Sequence, residues 1–291
     1  MTRILLFGST GMLGREVLRI AEETKFEGTI VTVSHAECDI RDEAQVEKAV
    51  AESGAQVVVN CAAYTQVDKA ESETETAMEI NGKATGNIAR AAKRHNMFLI
   101  HISTDYVFDG EKEGAYKPED ETNPINEYGR SKLAGEKAIE ATTGLRYAIV
   151  RTQWLYSHIG KNFFLTMLRL FREWENISVV GDQRGTPTLA AHLAEAIIKI
   201  AERRDEVETG IYHYSDSGSC TWYEFASEIA KNDGTKCMIR EITTEEYPTP
   251  ARRPKNSILD KSKTTRITRI ALKEWQEGVR ECYKKWRDER R

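Results

Sequence analysis

The chain has 291 residues, 40% of them hydrophobic and 30% charged, with a formal net charge of −4. That apolar share supports a real core and excludes a disordered chain, and the length suits one large domain or one domain with a smaller partner. No run approaches the ~18 consecutive apolar residues of a membrane span, and Cys38, Cys61, Cys220, Cys237 and Cys282 form no Cys-x-x-Cys pair that would suggest zinc or a disulfide framework.

From the N-terminus, short apolar runs at 4–7, 30–33, 57–61, 98–102 and 148–150 alternate with helix-like stretches at 12–24, 42–53, 73–95 and 126–143. Strict alternation predicts a parallel sheet with helices on both faces. The runs are apolar throughout, as strands covered on both sides should be. The first residues pass straight into the first run without a basic segment or a cleavage site, so a secretory leader is not expected and a cytoplasmic protein is.

Beyond Arg151 the pattern loosens: helix-like 162–174, a run at 177–180, helix-like 190–201, a run at 211–214, helix-like 222–231, and a loop at 248–254. Four of the six prolines lie between 187 and 254, which suits loops that wrap a ligand. The expected division is a dinucleotide-binding region over 1–150 and a mainly substrate-binding region over 151–291, with some later segments returning to the sheet. Residues 252–291 carry 14 Lys/Arg against 6 Asp/Glu. Ala271, Trp275, Val279, Cys282 and Trp286 recur at helical spacing there, so this basic tail reads as a docking helix with a solvated face. No nucleic-acid recognition motif accompanies it.

The first strand leads into Gly8-Ser9-Thr10-Gly11-Met12-Leu13-Gly14, directly before a helix. Gly8, Gly11 and Gly14 allow a tight turn and close helix packing, and the helix N-terminus offers N–H donors and a positive dipole end to a pyrophosphate. An acid about 20 residues on would bind the 2′-hydroxyl of NAD. The second strand instead ends at Val33-Ser34-His35, and Arg15 follows the last glycine, so Ser34 and Arg15 allow a 2′-phosphate and hence NADPH. Asp39 and Ile40 are placed at the adenine. Ala62 and Ala63, small residues at the end of the third strand, are placed beside the nicotinamide half with Tyr64.

Tyr128-Gly129-Arg130-Ser131-Lys132 sets a phenol and an ammonium one helical turn apart. It is the only Tyr-x-x-x-Lys in the chain, and it follows the run whose carboxyl end carries Ser103-Thr104-Asp105-Tyr106. Reactive groups of doubly wound sheets collect at such ends. A phenol of pKa near 10 is a poor acid–base group at neutral pH, and a nearby lysine cation is expected to lower it. Tyr128 then protonates the alkoxide formed by hydride transfer to a ketone, Thr104 donates to the same oxygen, and Lys132 also holds the nicotinamide ribose.

Together these residues resemble the extended short-chain dehydrogenase/reductase family, and within it the dTDP-4-dehydrorhamnose reductases. The resemblance also takes in Asn60-Cys61-Ala62-Ala63-Tyr64-Thr65, Val107-Phe108-Asp109-Gly110, Arg151-Thr152-Gln153-Trp154, Asp182-Gln183-Arg184-Gly185-Thr186-Pro187-Thr188 and Arg253-Pro254. It implies a Rossmann-type doubly wound α/β fold with a smaller, interleaved C-terminal domain. It also implies NADPH- or NADH-dependent reduction of the 4-keto group of dTDP-4-dehydro-β-L-rhamnose to dTDP-L-rhamnose. By that resemblance Thr104, Asp105, Tyr106, Tyr128 and Trp154 touch the sugar and Arg253 meets the diphosphate. Gly11, Met12, Leu13, Asp39, Ile40, Ala63, Tyr64, Thr65 and Lys132 hold the cofactor. Some relatives bind magnesium at a dimer contact through carboxylates. Here Glu16 is present but Ala190 and Ala191 occupy the partner positions, so no metal is expected, and the protein is expected to be a monomer or homodimer. Gln153 stands where a small serine is usual. The competing readings are an epimerase of the same fold, for which Cys61 and His101 read as core residues and not as a second acid–base pair, and a non-catalytic NADP-binding regulatory subunit.

Overall fold

The computed structural model describes residues 1–290. In chain order the elements are β1 (Thr2–Phe7), α1 (Met12–Glu23), β2 (Gly28–Val33), α2 (Glu43–Ser53), β3 (Val57–Asn60), the single-turn α3 (Val67–Ala70), α4 (Thr74–Met78), a π-helical turn (Glu79–Lys83), α5 (Ala84–Arg94), β4 (Phe98–Thr104) and a 3₁₀ turn (Asp105–Val107). There follow α6 (Glu127–Glu140), β5 (Tyr147–Thr152), β6 (Leu155–Tyr156), α7 (Phe163–Glu173), β7 (Asn176–Val180), β8 (Arg184–Gly185), β9 (Thr188–Leu189) and α8 (Ala190–Glu202). The remainder is β10 (Gly210–His213), β11 (Cys220–Thr221), α9 (Trp222–Asp233), β12 (Met238–Ile242), α10 (Ser262–Thr268) and α11 (Trp275–Asp288).

Six strands form one parallel sheet in the order β10-β5-β4-β3-β1-β2. The chain leaves β1 first toward β2 and then crosses to β3, so the winding reverses between β1 and β3. This is the doubly wound α/β fold the sequence predicts, and ligands of such folds sit beyond the carboxyl ends of the strands at that reversal. Alternate residues of each strand serve opposite faces. Ile4, Leu6, Val57, Val59, Ile100 and Val150 pack with Leu13 and Val17 of α1 and with Leu193 and Ile197 of α8. Leu5, Phe7, Val58, Leu99 and Ile149 pack on the other face with Val46 and Val50 of α2, Ile88 of α5 and Ile139 of α6. Both faces are dry, which is why the strands read as unbroken apolar runs.

Past Leu155 only β10 joins that sheet, and no second large sheet forms among the described residues. Strands pair in twos, β6 with β9, β8 with β11 and β7 with β12, around an aromatic core of Tyr156, Phe164, Phe171, Phe225, Trp275 and Trp286. The C-terminal stripe docks as expected, with Trp275, Val279, Cys282 and Trp286 buried. Ala271 lies outside α11 and is exposed, because the helix begins only at Trp275. The helix predicted over 73–95 is three segments, broken by the π turn. Strand β12 was not anticipated, since Met238–Ile242 is mostly exposed and shows no apolar run.

Candidate active site

Two cavities of about 640 and 370 Å³ open at the carboxyl ends of β1, β3 and β4 and share Thr10, Gly11, Cys61 and Ala63. The glycine loop forms their common wall. Gly8 sits at φ +77°, and a Cβ there would lie 2.5 Å from the Ala62 nitrogen. Only glycine combines that dihedral with that approach. Gly14 lines neither cavity. Its role is packing, since a Cβ would fall 2.2 Å from the Gly8 carbonyl. Helix α1 is preceded by Gly11, which offers no side-chain cap, so its first N–H groups are left for a ligand anion.

The smaller cavity takes Gly8, Thr10, Gly11, Asp39, Ile40, Ala62 and Ala63 among the predicted cofactor residues. Three readings change here. Arg15 is exposed and lines neither cavity, because it lies on the outer face of α1; the guanidinium at the smaller cavity is that of Arg41. Arg41 is clamped by Asp39 at 2.6 Å, and the guanidinium holds that carboxyl down at about 2. The end of the second strand is not free of carboxylate. Glu37 folds back and accepts from the Ser34 N–H at 2.8 Å and its hydroxyl at 2.6 Å, so Ser34 lines neither cavity and its donors are already engaged.

The larger cavity gathers Thr10, Gly11, Met12, Leu13, Ala63, Thr65, Thr104, Asp105, Tyr106, Tyr128, Lys132 and Trp154. Tyr64 and Arg253 line neither cavity. The Tyr64 hydroxyl donates to Glu73 at 2.7 Å, and Arg253 is fixed on Asp68 at 2.8 Å. Helix α6 delivers Tyr128 and Lys132. Its first turn is capped by Asn126, which accepts from Gly129 N–H at 2.8 Å and donates to the Arg252 carbonyl at 2.8 Å. Its body is held to β5 by the buried Arg151–Glu136 pair, with contacts of 3.0 and 2.7 Å. Ser103 donates to the same carboxylate.

Asn81 in the π turn ties this helix to the loop after β3. It accepts from Tyr64 N–H at 2.9 Å and donates to the Tyr64 carbonyl at 3.0 Å and to Ser131 at 2.9 Å. Nothing in the residues around 81 signals that role, because a helical pattern runs unbroken through them.

The expected effect of lysine on tyrosine is not what the structure shows. Burial pushes the Tyr128 phenol up to about 12, opposed by the Thr104 hydroxyl and reinforced by the Asp105 charge. Lys132 donates to the Ile102 carbonyl at 2.7 Å instead, and burial brings it down to about 8 against the pull of Glu136 and Cys61. His101 lies 3.4 Å from its Nζ. Ala62 N–H fixes the Asn60 amide so that its NH₂ faces His101 Nδ1 at 3.1 Å. His101 therefore carries its proton on Nε2 and cannot accept from Lys132. His101 is a core residue, as predicted, whereas Cys61 lines both cavities.

Trp154 is strained, at φ +46°, a conformation that bulky residues rarely adopt. Its ring stacks on Trp222 at 3.6 Å. Trp222, which the sequence reading missed, is aimed by a capping box in which Thr221 N–H meets Glu224 at 2.7 Å and Glu224 N–H meets the Thr221 hydroxyl at 3.1 Å. That box was visible as Thr-x-x-Glu. Glu16 is buried and engaged by Ser157, His158 and Arg19. Burial works against its charge, but those partners bring it down to about 2. Among the described residues no three His, Cys, Asp or Glu side chains are grouped to hold a metal.

This fold, with a glycine turn and paired cavities at the carboxyl ends of its strands, defines a Rossmann-type α/β protein. More narrowly, the chain belongs to the RmlD substrate binding domain family, whose model matches residues 1–287. It is similar to a dTDP-4-dehydrorhamnose reductase of Escherichia coli K12, 39% identical over 290 residues with 95% of each chain covered. Among solved structures it is similar to the dTDP-4-dehydrorhamnose reductase of Clostridium acetobutylicum, with a TM-score of 0.92, 36% identity, and 98% of this chain and all of that one covered. The enzyme of that name from Bacillus anthracis, solved in complex with NADP, gives 0.91 at 36% identity with the same coverage.

Proposed function

We propose that this protein reduces the 4-keto group of dTDP-4-dehydro-β-L-rhamnose to dTDP-L-rhamnose with NADPH or NADH, in the cytoplasm, as a monomer or homodimer. The observation that carries the reading is the joined pair of cavities, with the glycine loop at one end and Thr104, Tyr128 and Lys132 at the other. Names shared by near full-length relatives supply the substrate. Residues 1–150 serve mainly the coenzyme and 151–291 mainly the sugar nucleotide, while α8 and β10 return to the sheet.

The residues fit a dinucleotide, since an uncapped helix terminus and a glycine-lined turn face the cavity. When bound, the coenzyme supplies the hydride. Gly8, Thr10, Gly11, Met12, Leu13, Asp39, Ile40, Ala62, Ala63 and Thr65 line the space it would fill. Lys132 keeps a cation beside that space at neutral pH. Thr104 and Tyr128 orient the substrate carbonyl, and Tyr128 gives up its phenol proton to the oxygen as it becomes an alkoxide. A phenol held up at about 12 retains that proton at neutral pH yet is a stronger acid than the alcohol formed. Trp154 and Trp222 wall the sugar, and Asp105 and Tyr106 close the side toward β4.

The test follows NAD(P)H absorbance as purified protein meets dTDP-4-dehydro-β-L-rhamnose made in the same tube. Oxidation in the wild type that stops in Tyr128→Phe is the expected result. Coenzyme binding without turnover would move the assignment to a regulatory subunit or another sugar nucleotide.

A further inference from the structure

The Thr104 hydroxyl has one proton and several neighbours. Its oxygen lies 3.0 Å from Asp105 Oδ1 and accepts from the Tyr106 N–H at 3.2 Å. The Tyr128 phenol lies against it as well. A threonine hydroxyl offers one donated bond and two lone pairs. An ionised Asp105 has only lone pairs, so Thr104 must then give its proton to Asp105. The Tyr106 N–H fills a Thr104 lone pair, and the hydroxyl then has no proton left for a substrate oxygen. A neutral Asp105 reverses the chain: the carboxylic acid donates to Thr104, which frees the Thr104 proton for a substrate oxygen.

The surroundings favour the neutral acid. Asp105 is 2% exposed and its Oδ2 has no hydrogen-bond partner. The charged and titratable groups on the elements around it are already engaged or neutral. Arg253 is paired with Asp68, Arg151 with Glu136, and Lys132 with the Ile102 carbonyl. Tyr106 and Tyr128 are both pushed up by burial. Ser257 sits between the carboxyl and Gln153 Oε1, which it reaches at 2.9 Å, with one proton for the two. Burial accordingly lifts Asp105 to about 7, against the lowering influence of the nearby Ser257 and Thr104 hydroxyls.

We propose that Asp105 is a positioning residue for the reduction: its acid form donates to Thr104 and turns the Thr104 hydroxyl toward the substrate carbonyl, and its ionisation turns that hydroxyl away. The inference rests on the carbonyl-reductase reading of the cavity. Asp105 loses no proton in the turnover itself, so it sets geometry and is not the acid.

The experiment compares kcat and KM across pH for the wild type and Asp105→Asn, whose amide donates to Thr104 at every pH. The wild-type kcat is expected to fall about tenfold one unit above the Asp105 transition, with KM for the coenzyme unchanged. In Asp105→Asn that step disappears. The same fall in both proteins would assign it to Lys132 and overturn the proposal. A loss of 10²-fold or more in Asp105→Asn at all pH values, with coenzyme binding intact, would also overturn it, because the carboxylate itself would then be required. A ¹³C NMR titration of aspartate-labelled protein needs no turnover. A carboxyl signal titrating near neutral pH and absent from Asp105→Asn supports the proposal, and titration of that signal at an ordinary carboxylate pKa overturns it. If the wild type turns over no substrate, the reductase reading falls and the proposal falls with it.

Discussion

Between Thr2 and Thr152 five strands lie side by side in one parallel sheet, and helices cover both faces. Beyond Leu155 only β10 joins that sheet, and the other strands pair in twos around aromatic side chains. In the first region a strand is defined by its own residues, since any segment dry on both sides must be apolar throughout. In the second it is defined by its partner: β7 and β12 pair in register although about 60 residues separate them. On the proposed function the first region carries the cradle for the coenzyme, lined by Gly8, Thr10 and Gly11. The second contributes a wall of the larger cavity through Trp222, which stacks on the strained Trp154 of the connecting segment.

The predictions probe that difference, from the largest expected effect downward. Tyr128→Phe sits where the two regions meet and should lower kcat by about 10²–10⁴ while leaving coenzyme affinity nearly intact, as fluorescence titration would show. Arg151→Met leaves Glu136 buried without its partner and should cost about 3–5 kcal/mol in denaturant unfolding, with part recovered by adding Glu136→Gln.

Asp105→Asn should change how stability depends on pH. The wild-type carboxyl is raised in the folded protein, so between about pH 4 and 7 the unfolded chain has lost a proton that the folded one keeps. Folding stability falls through that window by up to about 4 kcal/mol, and the variant escapes this loss. Thermal melts of both proteins at several pH values would reveal the divergence; parallel curves would remove the buried-acid argument.

Trp222→Ala tests the second region alone. Losing the stack on Trp154 should raise KM for the sugar nucleotide by about 2- to 10-fold with little change in coenzyme binding. The smallest effect belongs to Glu37→Gln. Removing a carboxylate from Ser34 should improve NADPH binding relative to NADH by less than about tenfold. Equal affinities before and after the change would show that Glu37 has no part in coenzyme choice.

Sequence alone determined the architecture and the centre of the site. Burial on two faces forces apolar strands, the glycine turn follows the first of them, and Tyr128 and Lys132 lie one helical turn apart, so the five strands, the Gly8–Gly14 loop and the gathering of Thr104, Tyr128 and Lys132 at one cavity could be read in line. Tertiary structure decided what depends on neighbours distant in the chain. The π turn that points Asn81 at the loop after β3, the Glu37 carboxylate on Ser34, the Trp222 stack and the cavity-facing Cys61 leave no periodic trace. The same holds for the electrostatics. That Lys132 serves the Ile102 carbonyl while burial raises Tyr128 and Asp105 follows from dielectric surroundings and hydrogen-bond geometry, which local residue order does not encode.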